Sequence, residues 1–311
     1  MKHSLLCLLL LSLVVPALHA QEWQRVKIPA QDNLTGISFI SPDTGLVVTG
    51  TGRYMHTVDG GKNWRRFRIE EGAPFEDVFY LNSQYAYICG RNGKLLRSID
   101  SLQSWQHKTL PDTLPWLMDI EMFDNKHGLV IGMSRHTERP LQGFALRTVD
   151  GGISWQEVAP MGAGYAEIAY EKGGPVIILA FGRLIISDDK GATWRTVTTF
   201  EGEACRAISM HGDAGIMAGP GGICAYTRDA GKTWQIVRSD AQRVFIAVQM
   251  IDDQVAYVGG ANGIVMRTAD GGQTWQDEDF PAPIDIFDFE LVGDRLYAVG
   301  SMGGMLYKKV R

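Results

Sequence analysis

Acidic side chains recur at one position of a repeating pattern, directly before an apolar pair that opens a predicted strand. If these positions face a common axis, like charges there would raise one another's pKa or hold a cation. Two carboxyl groups could also cleave a glycosidic bond, provided that about 5–10 Å separates them. The simpler interpretation is that each carboxylate caps a strand start by hydrogen bonding to the neighbouring repeat. The acidic positions are Asp77, Asp119, Glu167 and Asp288, and the other three equivalents are Gly36, Ala207 and Ala247.

Arginines form a second set of candidates, in predicted loops at the same end of the repeats as the acidic positions. A guanidinium group can bind a carboxylate of a partner protein through two parallel hydrogen bonds. The alternative is that these arginines are scattered, solvated and paired with the acidic residues. The candidates for a binding face are Arg53, Arg91, Arg135, Arg139, Arg183 and Arg206.

One long loop and one tryptophan add to this face. The third repeat carries an insertion of about ten residues, Met133–Gln142, and a long charged loop is a reasonable recognition element. Trp116 lies between Pro115 and Leu117 in the adjacent predicted loop and is the one tryptophan that the repeat does not explain. An exposed aromatic ring beside arginine would anchor an interface. Packing beneath the long loop explains Trp116 equally well.

A turn motif, S/T-x-D-x-G-x-T/S-W, must position these residues. Its six copies start 41, 50, 39, 40 and 41 residues apart, a spacing typical of a repeat architecture. In this motif, the Asp-box, the Asp accepts backbone N–H groups, Gly adopts a positive φ and Trp anchors the hairpin. Two copies depart from the pattern, at Asn63 and at Leu102, and the second requires another geometry or strain. The structural carboxylates are Asp59, Asp100, Asp150, Asp189, Asp229 and Asp270.

Alternating apolar residues around each box predict four short antiparallel strands per repeat. We therefore predict one all-β domain over residues 21–311, a seven-bladed propeller of four-stranded blades. The seventh blade takes three strands from 288–310 and its fourth from 22–28, where Trp23 matches the Trp that opens the other fourth strands. Pairing the two chain ends would close the ring and cover a sheet edge.

Residues 1–20 have the pattern of a signal peptide. Lys2 and His3 precede an apolar run, Leu5–Val15, that is too short to span a bilayer. We expect an exported protein, periplasmic or secreted. Without this segment 29 basic and 35 acidic side chains remain, a net charge near −6, which argues against a nucleic-acid partner.

Three cysteines follow the signal segment, Cys89, Cys205 and Cys224, each within or beside an apolar run. Small buried side chains are the simplest interpretation, and a disulfide between Cys205 and Cys224 stays open. No CxxC motif or Cys/His cluster occurs, so we predict neither a metal site nor a cofactor.

The regular array of boxes resembles the BNR/Asp-box propellers of the photosystem II assembly factor type, most closely in residues 259–275, GGANGIVMRTADGGQTW. That resemblance implies a non-catalytic scaffold that holds a partner protein during assembly. Sialidases also carry Asp-boxes, but they begin with Arg-Ile-Pro, and residues 25–29 read RVKIP instead.

These observations favour a monomeric, exported binding propeller whose partner is a protein, with an assembly intermediate of a membrane protein as one candidate. The alternative is a glycoside hydrolase or related sugar-active enzyme that uses two of the four ring carboxylates. A weaker third interpretation is a cation-binding propeller.

Overall fold

The computed structural model describes residues 22–69, 74–110, 116–134, 142–161, 166–180, 183–199, 205–240 and 242–310. The predicted signal peptide, Arg135 and Arg139 lie outside these ranges. Within them the regular structure is almost entirely β-strand, and no helix there has the length and apolar character needed to cross a membrane.

The described strands form seven four-stranded antiparallel sheets, which confirms the predicted seven-bladed propeller. In each blade, strand A lies next to the axis and strands B, C and D follow outward. Blades 1 to 3 comprise β2 (Leu34–Phe39), β3 (Gly45–Thr49), β4 (Arg53–Thr57), β5 (Arg65–Arg68); β6 (Phe75–Tyr80), β7 (Ala86–Gly90), β8 (Lys94–Ser98), β9 (Gln106–Thr109); β10 (Trp116–Met122), β11 (Gly128–Ser134), β12 (Gln142–Thr148), β13 (Gln156–Met161). Blades 4 to 6 comprise β14 (Ala166–Tyr170), β15 (Val176–Ala180), β16 (Arg183–Ser187), β17 (Arg195–Thr199); β18 (Ala207–His211), β19 (Ala214–Ala218), β20 (Ile223–Thr227), β21 (Gln235–Arg238); β22 (Phe245–Met250), β23 (Ala256–Gly260), β24 (Val265–Thr268), β25 (Gln276–Asp277). Blade 7 comprises β26 (Ile286–Val292), β27 (Arg295–Gly300), β28 (Met305–Lys309) and β1 (Gln24–Arg25), and two 3₁₀ turns, Ala261–Gly263 and Ser301–Gly303, join strands B and C in blades 6 and 7.

The two chain ends pair in blade 7, as predicted. Strand β1 is shorter than expected, but Gln24 and Arg25 pair with Tyr307 and Leu306 of β28. Trp23 is 5% exposed, and its ring lies 5.1 Å from that of Phe280. The closing strand is thus held by its buried tryptophan as well as by its backbone.

Apolar side chains fill the space between successive blades. Among the described residues, seven buried clusters occupy the seven interfaces around the ring. Most strands B are buried along their whole length, because each is covered by the next blade on one side and the previous blade on the other. The buried cysteines are part of this packing, and Cys89, Cys205 and Cys224 are free thiols.

A β-bulge at the start of strand A sets the direction of the ring positions. In five blades the register shifts by one residue immediately before that position, for example between Phe75 and Asp77 and between Leu117 and Asp119. A bulge bends the strand locally and re-aims the side chain that follows it. Three of the four acidic ring positions, Asp77, Asp119 and Asp288, therefore follow a bulge, whereas Glu167 continues a regular strand.

The Asp-box turns are closed by side-chain hydrogen bonds. In the third box, Ser154 donates to the Asp150 carboxylate from its backbone N at 2.9 Å and from its hydroxyl at 2.6 Å. Thr148 Oγ1 donates to Asp150 at 2.9 Å and accepts from Gly152 N at 2.8 Å. These bonds hold the pKa of Asp150 down at about 2, against the opposing effect of partial burial.

The two irregular boxes keep the same geometry. Asn63 donates to the Asp59 carboxylate from its backbone at 2.9 Å and from its side-chain amide at 2.7 Å, in place of the usual hydroxyl. Leu102 adopts φ +66°, the conformation that glycine adopts in the other boxes, and its N donates to Ser98 Oγ at 3.1 Å. The second box therefore retains the turn with strain, and packing of the Leu102 side chain against the apolar cluster between blades 1 and 2 offsets part of that cost.

The turns also join neighbouring blades. The Tyr87 hydroxyl and the Arg97 guanidinium of blade 2 donate to the carbonyl oxygen of Gly151, in the third box, at 3.0 and 2.7 Å. Arg147 of blade 3 donates in the same way to Lys190 O of the fourth box at 2.7 Å. A box is therefore part of the interface between two blades.

We expect Asp150→Ala to lower the free energy of unfolding by about 1–2 kcal/mol, because it leaves three donors without their acceptor. Val149→Ala is the matched control, since Val149 is 51% exposed in the same turn, and its effect should stay within about 0.5 kcal/mol. Urea titration followed by tryptophan fluorescence measures both. Equal stability of the two variants would contradict a structural role for this carboxylate.

Candidate functional site

The inner strands enclose a cavity of about 590 Å³, to which strand A of every blade contributes. Its lining among the described residues contains seven carboxyl groups and no lysine, arginine or histidine. The acidic lining residues are Glu76, Asp77, Asp119, Glu121, Glu167, Asp288 and Glu290. The four acidic ring positions found in the sequence thus lie on one cavity.

The same four carboxyl groups also link each blade to the next. Asp288 accepts a hydrogen bond from Ile37 N at 3.1 Å, across the junction of blades 7 and 1. Asp77 accepts from Ile120 N at 3.1 Å, and Asp119 accepts from Ile168 N at 2.6 Å. Glu167 is bonded to the backbone of Ile208 in blade 5. These carboxyl groups therefore cap the start of a strand by bonding to the next blade, and they also crowd together around one cavity.

Sequence reasoning missed three further carboxyl groups of the cavity: Glu76, Glu121 and Glu290. Glu121 and Glu290 come two residues after Asp119 and Asp288 in the same strands, and period-two alternation along a strand would have found them. Glu290 accepts a hydrogen bond from Phe39 N at 3.0 Å. This is a second bond between blades 7 and 1, two residues further along both strands. Glu121 makes no hydrogen bond to any described residue and faces only the charges of Asp119 and Glu290.

Burial raises the pKa of Glu121, Glu290 and the four ring carboxyl groups, because protein surrounds them even where cavity water reaches part of their surface. Asp288 rises to about 7 and Glu290 to about 8, with the neighbouring carboxylates adding to the effect of burial. Asp77 and Asp119 lie close enough to share a hydrogen bond, and Asp77 retains the proton more strongly because the charges of Asp119 and Asp288 oppose its ionisation.

The closeness of Asp77 and Asp119 bears on the chemistry of this pair. Two carboxyl groups near enough to share a hydrogen bond are closer than the roughly 5–10 Å at which such groups act on a glycosidic bond. Within the described ranges no three His, Cys, Asp or Glu side chains are arranged to hold a metal ion. Backbone N–H groups of the next blade already bind one side of each of the four ring carboxyl groups. These carboxyl groups therefore help to hold successive blades together.

The arginines lie at the ends of strands, where the B–C and D–A connections meet. Arg53 opens β4 and pairs with Asp32, with Nη1 at 3.2 Å from Oδ2. Arg183 opens β16 and is exposed. Arg206 precedes β18; burial raises the pKa of Glu167, and the charge of Arg206 opposes that rise in part. The alternative interpretation is that these arginines pair with the acidic ring positions. Of the three, only Arg206 interacts with such a carboxyl group.

Arg91 and Trp116 form one contact on this face. The Arg91 guanidinium lies 4.4 Å from the centroid of the Trp116 ring and also pairs with Glu76, Nε to Oε1, at 2.6 Å. Trp116 is the first residue of β10 rather than part of the preceding loop, because its backbone pairs with Met133 and bridges to Arg91. Its ring is half-buried, and its Nε1 has no hydrogen-bond partner among the described residues.

Sequence comparison connects the chain to one family. The family described as "Photosynthesis system II assembly factor YCF48" matches residues 15–117. The "Photosystem II assembly lipoprotein Ycf48" of Synechococcus sp. (strain CC9902) is 24% identical over 213 residues, which cover 65% of this chain. The match spans 60% of that relative's own length.

Similar solved structures extend over almost the whole chain. A YCF48 bound to a D1 peptide superposes with a TM-score of 0.76 at 20% identity, covering 96% of this chain and 100% of that one. YCF48 from Cyanidioschyzon merolae gives a TM-score of 0.73 at 18% identity, covering 93% and 98%. A catalytically inactive virginiamycin B lyase from Staphylococcus aureus, solved with quinupristin, gives 0.74 at 11% identity over 93% and 99%, so the fold itself serves both enzymes and assembly factors. The predicted resemblance is therefore confirmed: the chain is a seven-bladed propeller similar in sequence and in fold to the photosystem II assembly factor YCF48.

Proposed function

We propose that this protein is an exported, non-catalytic propeller that binds a partner protein, in the manner of an assembly factor, through the face formed by its B–C and D–A connections. We call this surface the loop face. It carries the candidates Arg53, Arg91, Arg183, Arg206 and Trp116, and the ring carboxyl groups lie at its centre. We further propose that the protein acts as a monomer, needs no cofactor or metal and binds no nucleic acid.

The observation that carries this proposal is the contact of Arg91 with Trp116. A guanidinium held over an aromatic ring and fixed by Glu76 is pre-oriented, so that little side-chain entropy is lost when it binds a carboxylate. Arginine and tryptophan are also the residues that most often dominate the energy of protein interfaces. Support by analogy comes from YCF48, which has been solved with a D1 peptide bound.

The carboxyl groups of the ring have a supporting part in this proposal. Asp77, Asp119, Glu167 and Asp288 hold successive blades together and give the centre of the loop face an acidic character. At a pH high enough to ionise these groups, a partner segment with carboxylates of its own would be steered away from the axis, towards the arginines around it. The proposed binding surface is thus the outer part of the loop face rather than the cavity.

We expect the double change Arg183→Glu and Arg91→Gln to reduce partner capture at least tenfold, because it removes two guanidinium groups from the loop face. Gln is used at position 91 because Glu there would lie against Glu76. Crosslinking in the native cell envelope, followed by mass spectrometry, identifies the captured protein and measures its yield.

The matched control is Lys62→Gln with Lys232→Gln, which removes the same kind of charge from exposed sites in the Asp-box turns on the opposite face. Both double variants should melt within about 3 °C of the unaltered protein, because exposed ion pairs contribute little to stability. Equal capture by the two double variants would show that the loop face is not the binding surface.

A further inference from the structure

We propose that Met302, at the tip of the B–C turn of blade 7, is an apolar contact residue that binds a protein segment in which an apolar side chain lies near an acidic residue. This inference rests on the proposed function and names a second element of the loop face, remote from Arg91 and Trp116. It stands on the backbone conformation, the exposure and the surroundings of Met302.

The backbone of Met302 is in the left-handed region, with φ +57° and ψ +32°. The turn of blade 6 has the same shape, and there Asn262 occupies the equivalent position with φ +58° and ψ +30°. Blade 2 also places an asparagine, Asn92, at φ +58° before a glycine. Asn tolerates this conformation because of its short polar side chain, whereas a long unbranched side chain is disfavoured there. The chain thus contains two examples of the residue that suits this turn, and blade 7 departs from them.

Packing within the fold does not explain the departure. Met302 is 65% exposed, so its side chain contributes little to the core. Five large apolar residues of the described chain are exposed, and Met302 alone among them has a left-handed backbone. The other two long side chains on a left-handed backbone have a visible compensation: the Leu102 side chain packs between two blades, and Lys190 Nζ donates to Asp124 at 2.6 Å. A strained residue whose side chain is largely exposed in its own fold points to a contact outside it.

The neighbourhood of Met302 indicates the chemistry of the partner. Met302 N donates to Asn33 Oδ1 at 3.3 Å. The residue before Asn33 is Asp32, whose carboxylate forms an ion pair with Nη1 of Arg53. Nη1 of Arg53 also donates to Thr51 at 2.6 Å, whereas its Nε and Nη2 make no hydrogen bond to a described residue. Residues 32–33 therefore connect the turn that carries Met302 to an arginine whose Nε and Nη2 have no hydrogen-bond partner among the described residues. Methionine adapts to many apolar shapes, and the remaining donors of Arg53 suit a carboxylate.

The test uses an array of immobilised twelve-residue peptides that contain one Leu and one Asp at varied spacing, with matched peptides in which Ser replaces either residue. We expect the unaltered protein to prefer peptides with both residues. Met302→Asn should lose about tenfold in affinity for Leu-containing peptides and keep the preference for Asp. Met302→Leu should bind as the unaltered protein does, because it keeps an apolar side chain. Arg53→Gln should lose the preference for Asp instead.

The strain itself is checked by a reciprocal pair of variants. Met302→Asn should melt about 2 °C higher than the unaltered protein, and Asn262→Met should melt lower by a similar amount without any change in peptide preference. If Met302→Asn binds Leu-containing peptides as tightly as the unaltered protein, the inference is wrong. Loss of envelope capture in the Arg91 and Arg183 double variant would then still support the proposed function. The inference is also wrong if the unaltered protein shows no preference for Leu or Asp in the array. The proposed function is tested separately, by the crosslinking yield of the Arg91 and Arg183 double variant.

Discussion

Lys308→Met should lower the free energy of unfolding by about 3–5 kcal/mol, one of the largest effects that we expect from a single change in this chain. Lys308 lies on β28, the last strand, and its side chain is only 6% exposed. It pairs with Glu278, which is 17% exposed and directly follows β25 of blade 6. Removing the cation leaves a largely buried carboxylate without its counter-charge.

The adjacent residue provides a control for this change. Lys309 pairs with Asp294 at 3.5 Å, but the two side chains are 45% and 49% exposed, so Lys309→Met should cost less than about 1 kcal/mol. The double change Lys308→Met with Glu278→Gln should recover part of the loss, because neither charge is then buried alone. Denaturant unfolding measures all three variants. If the Lys308 and Lys309 variants are equally stable, the pair of Lys308 with Glu278 does not stabilise the packing of blade 7 on blade 6.

The contrast between these two lysines shows what sequence patterns can and cannot predict here. Both occur in the same short run, Lys308–Val310, and no spacing rule separates them. Burial depends on blade 6, which lies about 30 residues earlier in the chain and covers Lys308 only when blades 6 and 7 pack together. The closure itself was predictable, because Trp23 repeats the pattern of the other fourth strands.

The candidate site was predictable to a similar degree. Repeat spacing brought Asp77, Asp119, Glu167 and Asp288 to equivalent positions, and the structure places all four on one cavity. Asp77, Asp119 and Asp288 each follow a bulge of one residue, which alternation alone does not predict. The stacking of Arg91 on Trp116 and the strain at Met302 depend on backbone geometry in loops, where spacing carries little information.

The second large effect concerns pH: between about pH 4 and pH 8 we expect the stability of the propeller to fall as the pH rises. Six carboxyl groups of the cavity, those of the four ring positions together with Glu121 and Glu290, have a raised pKa in the folded state. The pKa of Asp288 is about 7 and that of Glu290 about 8, whereas in the unfolded chain these groups titrate near 4. The folded state therefore binds more protons across this range. By linkage, the stability from these groups is complete below their unfolded pKa and is lost as the pH rises through the folded pKa.

The Asp-box carboxylates should produce the opposite limb of the profile. Asp150, Asp189 and Asp229 have a folded pKa of about 2, below the unfolded value, because hydrogen bonds stabilise their charged form. Their contribution is present above about pH 4 and is lost as the pH falls through about 2. The two sets together predict maximum stability near pH 4.

Asp288→Asn combined with Glu290→Gln tests the upper limb, because each amide retains an oxygen that can accept the N–H of blade 1 but no longer ionises. We expect this variant to have a shallower slope between pH 4 and pH 8 and to gain stability at pH 8, on the order of 2 kcal/mol after allowance for the water that reaches the cavity. Asp150→Asn is the control, which should weaken the acid limb and leave the upper slope unchanged. Melting temperature against pH measures both variants.

A flat profile between pH 4 and pH 8 in the unaltered protein would contradict this account, because it would require the ring to be fully ionised already at pH 4. Burial and the absence of any lining cation among the described residues both oppose that state. The backbone N–H of Ile37 donates a hydrogen bond to one oxygen of Asp288. That bond does not remove the repulsion between an ionised Asp288 and five other carboxyl groups of the cavity. Protonation removes the repulsion while an oxygen remains to accept the hydrogen bond. The ring should therefore hold its blades most firmly when its carboxyl groups are neutral.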